Sequence, residues 1–419
     1  MHQRKIAVVG GGVAGLTAAY VLGRAHDVVL YEADTRLGGH AHTHDLPGPG
    51  GRTVRVDSGF IVHNERTYPR LLRLFAELGV ATQDSEMSMS VRCDGCGLEY
   101  AGARGPAGLF TGRGSLRPAY LRLLAEVPLF HRAARKLLAS GAPTGLTLGR
   151  FLAEGRFSAY FTSHFMIPLV SAVWSCAAHT AMDYPAAYLF RFLDHHGLLS
   201  VTGSPQWKTV AGGSAEYVQR AAKHIGSIRT GAPVTAVRRH PDRAEVTTAD
   251  GDTAAYSAVV LATHPDQALR LLADPTDAER QVLGAFRYSR NPTVLHTDTS
   301  LLPRAKGARA SWNYHLPSCS AAADAVQVSY DMNRLQRLPA GADFVVTLNA
   351  GDRVDPATVH ARMVYEHPVY TPASVAAQRR LPSLNTAVTA YAGAYHGWGF
   401  HEDGCRSGVD AAAALGVTW

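Results

Sequence analysis

The chain has 419 residues, with 46% apolar and 18% charged side chains and a net charge of +7. That length allows two closely packed parts with substantial cores, and the balance of apolar to charged residues excludes wholesale disorder. The basic residues are dispersed, without a Lys/Arg block or a basic-aromatic motif, so no nucleic-acid partner is expected; the charge reads as a well-solvated surface before attraction to an anionic membrane surface or an acidic substrate.

Met1-His2-Gln3-Arg4-Lys5 runs directly into a strand-like segment, which leaves no apolar signal region. No uncharged apolar run is long enough to span a bilayer. Five cysteines are too few for a disulfide framework. The expected location is the cytoplasm, at most peripheral to the inner membrane. Cys93-Asp94-Gly95-Cys96 has the spacing of half a zinc site or a redox pair. No second such pair follows, so it reads as two thiols in a turn, and no metal is expected.

In chain order, Ile6-Ala7-Val8-Val9 predicts a buried strand that stops at Gly10-Gly11-Gly12. A helix follows from Val13 to about Arg24, then a second strand at Val28-Val29-Leu30-Tyr31. Leu71, Leu72, Leu74, Phe75 and Leu78 form a helical stripe stopped by Gly79. From about Leu116 to Tyr188 the pattern is mostly helical, punctuated by Pro118, Pro128, Pro143 and Pro168. Short alternating strands with a turn at Asp250-Gly251 occupy 225–260, ending in a buried strand at Val259-Val260-Leu261-Ala262. Strand-like runs fill 292–348. Helices are predicted around Val359 and Val375, a strand near Val388, and a last helix from about Gly404 to Leu415.

The opening strand, glycine turn, helix and strand make a parallel βαβ unit. In Gly10-x-Gly12-x-x-Gly15, the first glycine permits the tight turn and the second admits a pyrophosphate. The third lets helix and strand pack closely. Val13 and Ala14 open the helix, whose unpaired N–H groups and positive dipole end face the phosphates. Glu32 ends the second strand, placed for a ribose diol. The unit is read as a dinucleotide site.

The next residues, Glu32-Ala33-Asp34-Thr35-Arg36-Leu37-Gly38-Gly39-His40, resemble the FAD-dependent amine oxidase and phytoene desaturase superfamily. Val56-Asp57-Ser58-Gly59 with Tyr68-Pro69 is similar to its second block. Gly212-Gly213-Ser214 with Tyr217, Ala262-Thr263-His264-Pro265, and Gly397-Trp398-Gly399-Phe400-His401-Glu402-Asp403-Gly404 are similar to later ones. The resemblance implies noncovalent FAD in a Rossmann-like α/β domain of amine oxidase type, joined to a discontinuous mixed α+β substrate domain. The FAD domain would comprise 1–84, 205–285 and 384–419, and the substrate domain 85–204 and 286–383.

By the same resemblance, Arg36 neutralises phosphate charge, and Gly38 and Gly39 let the chain pass beside the cofactor. Val234 meets the adenine, the backbone near His401 meets the flavin, and Glu402 is a cofactor candidate or a helix cap. His40, Asp57, Ser58, Gly59, Ala262 and Thr263 complete the expected cofactor residues. Phe400 and Trp174 are the candidates for the substrate face, and no general base is identified.

Two departures matter. The superfamily's amine oxidases usually carry tyrosine where Phe400 stands, which weakens the case for an amine. Gly393-Ala394 replaces a Gly-Asp pair. Trp174-Ser175, His195-His196-Gly197-Leu198-Leu199, Pro205-Gln206-Trp207 and Met332-Asn333-Arg334-Leu335-Gln336 resemble a bacterial branch linked to modification of unsaturated fatty acids. The expectation is hydride removal from a C–H bond of an apolar or lipid substrate, with oxygen or an external acceptor reoxidising the cofactor. A double-bond isomerase, an amine oxidase and a noncatalytic nucleotide-binding protein are the alternatives. His40, His42 and His44 alternate along one strand face but follow the glycine pair directly, which argues against a metal site. Phe161, Phe165, Met166, Trp174, Tyr184 and Phe190 read as core before tunnel lining.

Overall fold

A computed structural model describes residues 3–141, 145–200, 203–319 and 326–419. Met1, His2 and Pro143 therefore lie outside the described residues. The strand Lys5–Val9 sits at the centre of a five-stranded parallel sheet. Asp27–Tyr31 pairs with one of its edges and Ala258–Leu261 with the other. Ser227–Arg229 and Thr389–Tyr391 are the outer strands. The three central strands are almost continuously apolar after their first residues because both faces of a parallel sheet are covered. One cover is the helix Val13–Leu22, in which every residue is buried. The C-terminal helix His401–Ala414 packs against it.

An antiparallel hairpin sheet, Val234–Arg239, Ala244–Thr248 and Thr253–Tyr256, lies beside this layer with its turn at the expected Asp250-Gly251. The second large element is a seven-stranded sheet. Its order is Val359–Val369, Arg287–His296, Val345–Leu348, Val328–Asp331, Trp312–Leu316, Met89–Cys93 and Leu98–Ala101. Only Trp312–Leu316 and Met89–Cys93 pair in parallel within it. Helices from 118 to 195 bury Phe130, Phe151, Phe161 and Phe190 against this sheet in one core. Among the described residues no helix is long and apolar enough to cross a membrane.

The helix expected around Val359 is instead a strand of eleven residues. Its Ala, Arg and Met favour helix in isolation, but it pairs along the whole of Arg287–His296, and that non-local ladder overrides local preference. The strand carries Tyr365 and His367 to the first sheet's side, where both rings approach His40 at 5.0 and 5.4 Å.

Candidate flavin-binding cleft

The nucleotide end is built by two glycine turns laid against each other. Gly10 leaves the first strand at φ 107°, and its N–H donates to the Tyr31 carbonyl at 2.8 Å. A Cβ on Gly15 would lie 1.8 Å from the Gly10 carbonyl oxygen, so only glycine lets the helix start this close to the strand. The Gly38 N–H donates to the Gly11 carbonyl at 2.8 Å, which fixes the second turn on the first. Glu32 accepts from the Gly11 N–H at 2.6 Å and from the Asp34 N–H at 2.9 Å. No side chain caps the helix at Gly12, so its first N–H groups stay available to an anion.

A cavity of about 710 Å³ opens from these turns. Gly10, Gly12, Val13, Ala14, Glu32 and Ala33 line one end. Gly38, Gly39, His40, Ser58 and Gly59 line the cavity too, as do Val234, Ala262 and Thr263. Trp174, Phe400 and His401 line the remaining part.

Four residues of the expected cofactor set stand behind this surface. Gly15 packs as described. Arg36 donates to the Gly39 carbonyl at 2.8 Å and holds its own loop. Asp57 is buried and accepts from the Ser214 N–H and hydroxyl at 3.0 and 2.8 Å, and from the Thr43 hydroxyl at 2.6 Å. Glu402 accepts from the Arg70 and Leu71 N–H groups at 3.0 and 2.9 Å, capping the helix Pro69–Glu77.

The C-terminal helix begins at the cleft. Asp403 caps it by accepting from the Trp398 and Phe400 N–H groups at 3.0 and 3.1 Å, and burial pushes its carboxyl up to about 6. His401 stacks on Phe60 at 3.6 Å, and its Nε2 meets the Tyr217 hydroxyl at 3.1 Å. Burial, with His63 adding, lowers it to about 3. Burial also lowers His367 to about 4, and holds His40 well below the usual imidazole range with His367 and His264 adding. The cleft is therefore ringed by neutral imidazoles. His40 Nε2 is buried without a protein partner, an arrangement that suits a bound group supplying the missing hydrogen bond.

The substrate side is aromatic. The Trp174 indole N–H donates to the Trp398 carbonyl at 3.0 Å, and Phe400 stacks on Phe192 at 4.9 Å. Trp312, Tyr330 and Leu348 from the large sheet face the same space. Of the helical aromatic stripe, Trp174 reaches the cavity, while Phe161, Tyr184 and Phe190 are core.

Tyr365, His367, Trp312 and Tyr330 were not among the residues expected from sequence. The alternation of Tyr365 and His367 was the available signal for the first two. His42 and His44 sit 4.0 Å apart; His44 Nε2 meets Ser58 Oγ at 2.8 Å and His42 Nδ1 meets the Tyr365 hydroxyl at 3.2 Å.

The sequence model of the flavin containing amine oxidoreductases matches residues 13–297. The flavin-dependent L-tryptophan oxidase RebO of Lentzea aerocolonigenes is 47% identical over 58 residues, which are 14% of this chain. That match spans only 12% of the relative's own length. Cyclohexylamine oxidase from Brevibacterium oxydans superposes over 99% of both chains, with a TM-score of 0.68 and 17% identity. A CLA-producing fatty acid isomerase from P. acnes also covers 99% of both chains, again with a TM-score of 0.68 and 17% identity. The fold of both solved structures is shared. With the family model covering more than half of the sequence, the chain belongs to the flavin containing amine oxidoreductase family and is a flavoprotein enzyme whose cofactor is FAD.

Proposed function

We propose that this flavoprotein removes a hydride from a C–H bond of a largely apolar substrate, with a fatty-acyl chain as the first choice. The observation that carries this reading is the composition of the cleft wall. Ala172, Val173, Trp174, Trp312, Tyr330, Leu348 and Phe400 present no carboxylate to an ammonium group. The carboxylates that line the cavity are Glu32, Asp34 and Glu366, and each is engaged. Glu32 holds the Gly11 N–H, Asp34 pairs with Arg36, and Glu366 lies between Arg290 and His264.

FAD, bound noncovalently, would supply the hydride acceptor. The chain's own groups divide the remaining work. The N–H groups at Gly12, Val13 and Ala14 would hold the pyrophosphate, Glu32 the ribose and Val234 the adenine side. The start of the C-terminal helix would favour negative charge at the reacting end. Neutral His40 and His367 can donate or accept hydrogen bonds there without adding positive charge. Phe400 and Trp174 would orient the substrate and exclude water. The division into a nucleotide part (1–84, 205–285, 384–419) and a substrate part (85–204, 286–383) fits the two sheets. Oxygen or an external acceptor would close the cycle.

A second reading, double-bond isomerisation, is favoured by the fold shared with the fatty acid isomerase. A membrane contact is proposed as the route for lipid. Phe110, Leu116, Leu121 and Leu129 are exposed, at 49, 69, 47 and 56%. Arg113, Arg117, Arg132, Arg135 and Lys136 are exposed in the same stretch of chain, and the one carboxylate from 110 to 140, Glu126, is buried and pairs with Arg122.

The deciding experiment is an anaerobic absorbance spectrum before and after adding unsaturated fatty-acyl substrates. Bleaching of the flavin bands supports the dehydrogenase. An oxidised flavin beside a moved double bond selects isomerisation. Bleaching only with simple amines rejects the lipid reading in favour of an amine oxidase.

A further inference from the structure

The pair Cys93 and Cys96, read from sequence as two thiols in a turn, has two further neighbours in space. His164 and Cys319 join it, and the four ligand atoms lie within 4.8 Å of one another. We propose that Cys93, Cys96, His164 and Cys319 form a structural Zn²⁺ site that ties the helix carrying Trp174 to the large sheet.

Two of the six edges between these atoms have the lengths of a tetrahedral zinc site, and the other four are no longer than 4.8 Å. Cys93 Sγ and Cys319 Sγ are 3.8 Å apart, and Cys96 Sγ and His164 Nε2 are 3.6 Å apart. Bond lengths of about 2.3 Å to sulfur and about 2.05 Å to nitrogen give tetrahedral edges of about 3.8 Å and about 3.6 Å. Three sulfurs and one imidazole make a closed donor set without an open position for water, the pattern of structural rather than catalytic zinc. A disulfide would need two of these sulfurs about 2.05 Å apart, and it would leave the imidazole without a purpose.

The surroundings orient each ligand. His164 Nδ1 meets the Ser163 hydroxyl at 2.7 Å, which fixes the ring with Nε2 toward the sulfurs. Tyr160 stacks on that ring at 3.8 Å, and its hydroxyl lies 3.3 Å from Cys96 Sγ. The turn between the first two cysteines is closed by the Gly97 N–H on the Cys93 carbonyl, at 2.9 Å. A Cβ on Gly95 would come within 2.9 Å of the Cys319 backbone nitrogen, so glycine there admits the third cysteine. His164 comes from a single π-helical turn, Thr162–Met166, a local irregularity that a required ligand position would explain.

The site joins three distant stretches of chain. Cys93 ends the strand Met89–Cys93, and Cys319 follows the strand Trp312–Leu316. The π turn leads directly into the helix Ile167–Trp174, whose last residues line the flavin cleft. None of the four ligands lines that cleft, so the metal's role would be to hold the substrate wall in place.

The test uses the full chain, purified under reducing conditions without chelator. Elemental analysis is expected to find one zinc per chain. Replacement by Co²⁺ should give the visible bands of a tetrahedral thiolate site together with near-ultraviolet charge transfer. Cys319→Ser, at the exposed ligand, should weaken zinc retention about a hundredfold while leaving the flavin absorbance per chain unchanged. Should that variant not fold, the zinc content and cobalt spectrum of the unaltered protein decide. Less than a tenth of an equivalent of zinc, with no uptake of added Zn²⁺ after dialysis, overturns the proposal. So does a Cys93–Cys319 disulfide found by mass spectrometry in the reduced preparation.

Discussion

Asp57 and Ser214 are locked together by three contacts: the Asp57 carboxylate takes the Ser214 backbone N–H through both oxygens and the Ser214 hydroxyl through one. The same carboxylate accepts from the Gln336 amide at 3.0 Å, while the Asp57 N–H donates to Gln336 Oε1 at 2.8 Å. Ser214 opens the helix Ala215–Ala222, and Gln336 ends the short helix Met332–Gln336. One buried carboxylate thus joins the glycine turn at 212–213 to the substrate side.

Asp57→Ala would leave these donors buried without an acceptor. A loss of about 3 kcal/mol or more is expected, because each unsatisfied group costs roughly 1–3 kcal/mol. Urea denaturation of the apoprotein measures this directly. A change below about 0.5 kcal/mol would show that the carboxylate is dispensable.

Two glycines of one motif should respond in opposite ways. A Cβ on Gly12 meets nothing within 4 Å, whereas one on Gly15 meets the Gly10 carbonyl oxygen at 1.8 Å. Gly12→Ala should leave the apoprotein's stability within about 0.5 kcal/mol while weakening FAD retention tenfold or more, about 1.4 kcal/mol. Gly15→Ala should instead destabilise the apoprotein by about 2–3 kcal/mol through overpacking. Thermal unfolding and FAD titration of both variants separate a ligand-facing glycine from a packing glycine. Normal FAD affinity in Gly12→Ala would place the pyrophosphate elsewhere.

Acid should destabilise the fold well before the carboxylates leave their usual range. Burial lowers His63, His196 and His296 to about 4 from 6.5. These groups stay neutral in the folded state and protonate first in the unfolded chain. Their stabilising contribution is complete above pH 6.5 and is lost as pH falls toward 4. Asp57 and Asp403, raised by burial to about 6 from 3.8, act in the opposite sense, because the folded state takes up their protons first. Each group changes stability by about 1.4 kcal/mol per pH unit within its window. Three histidines outweigh two carboxylates, and the partly exposed His367, His396 and His401, also lowered, add to the histidine side. From pH 7 to pH 5 a net loss of about 3 kcal/mol is expected in equilibrium denaturation from His63, His196, His296, Asp57 and Asp403 alone, and a larger one with the cleft histidines. A flat or rising stability over that interval would mean these imidazoles are hydrated or paired in solution.

The parts of the molecule that could be read from sequence are those whose parts are neighbours in the chain. The glycine turns, the first helix and Glu32 fall within the first forty residues, and each local pattern agrees with the next. What escaped depends on pairing across distance. Cys93 and Cys319 are 226 positions apart, and Cys96 and His164 are 68 apart, so one Cys-x-x-Cys gave no sign of its partners. The strand Val359–Val369 looked helical because its register with Arg287–His296 is invisible in local composition. Glu402 lies within the flavin block and is open to a cofactor or a capping role in the sequence, but the helix it caps, through Arg70 and Leu71, lies more than 300 positions earlier in the chain, where no local pattern points to it.

The exposed face of the long helix Pro118–Ala139 gives a prediction that does not depend on turnover. Leu121 and Leu129 are exposed on it and Leu116 in the turn before it, among arginines, with Glu126 held inward by the Ser158 hydroxyl at 2.6 Å. Apolar side chains would enter the acyl boundary while the guanidinium groups meet lipid phosphates, each basic group contributing about 1 kcal/mol on an anionic surface. The chain should therefore float with vesicles containing phosphatidylglycerol and not with neutral phosphatidylcholine vesicles, and moderate salt should release it. Leu116→Glu with Leu129→Glu should abolish flotation and leave flavin absorbance and thermal stability unchanged, since both leucines already face solvent. Binding that survives this double substitution would assign the contact to another face, and equal binding to neutral vesicles would exclude the arginines from it.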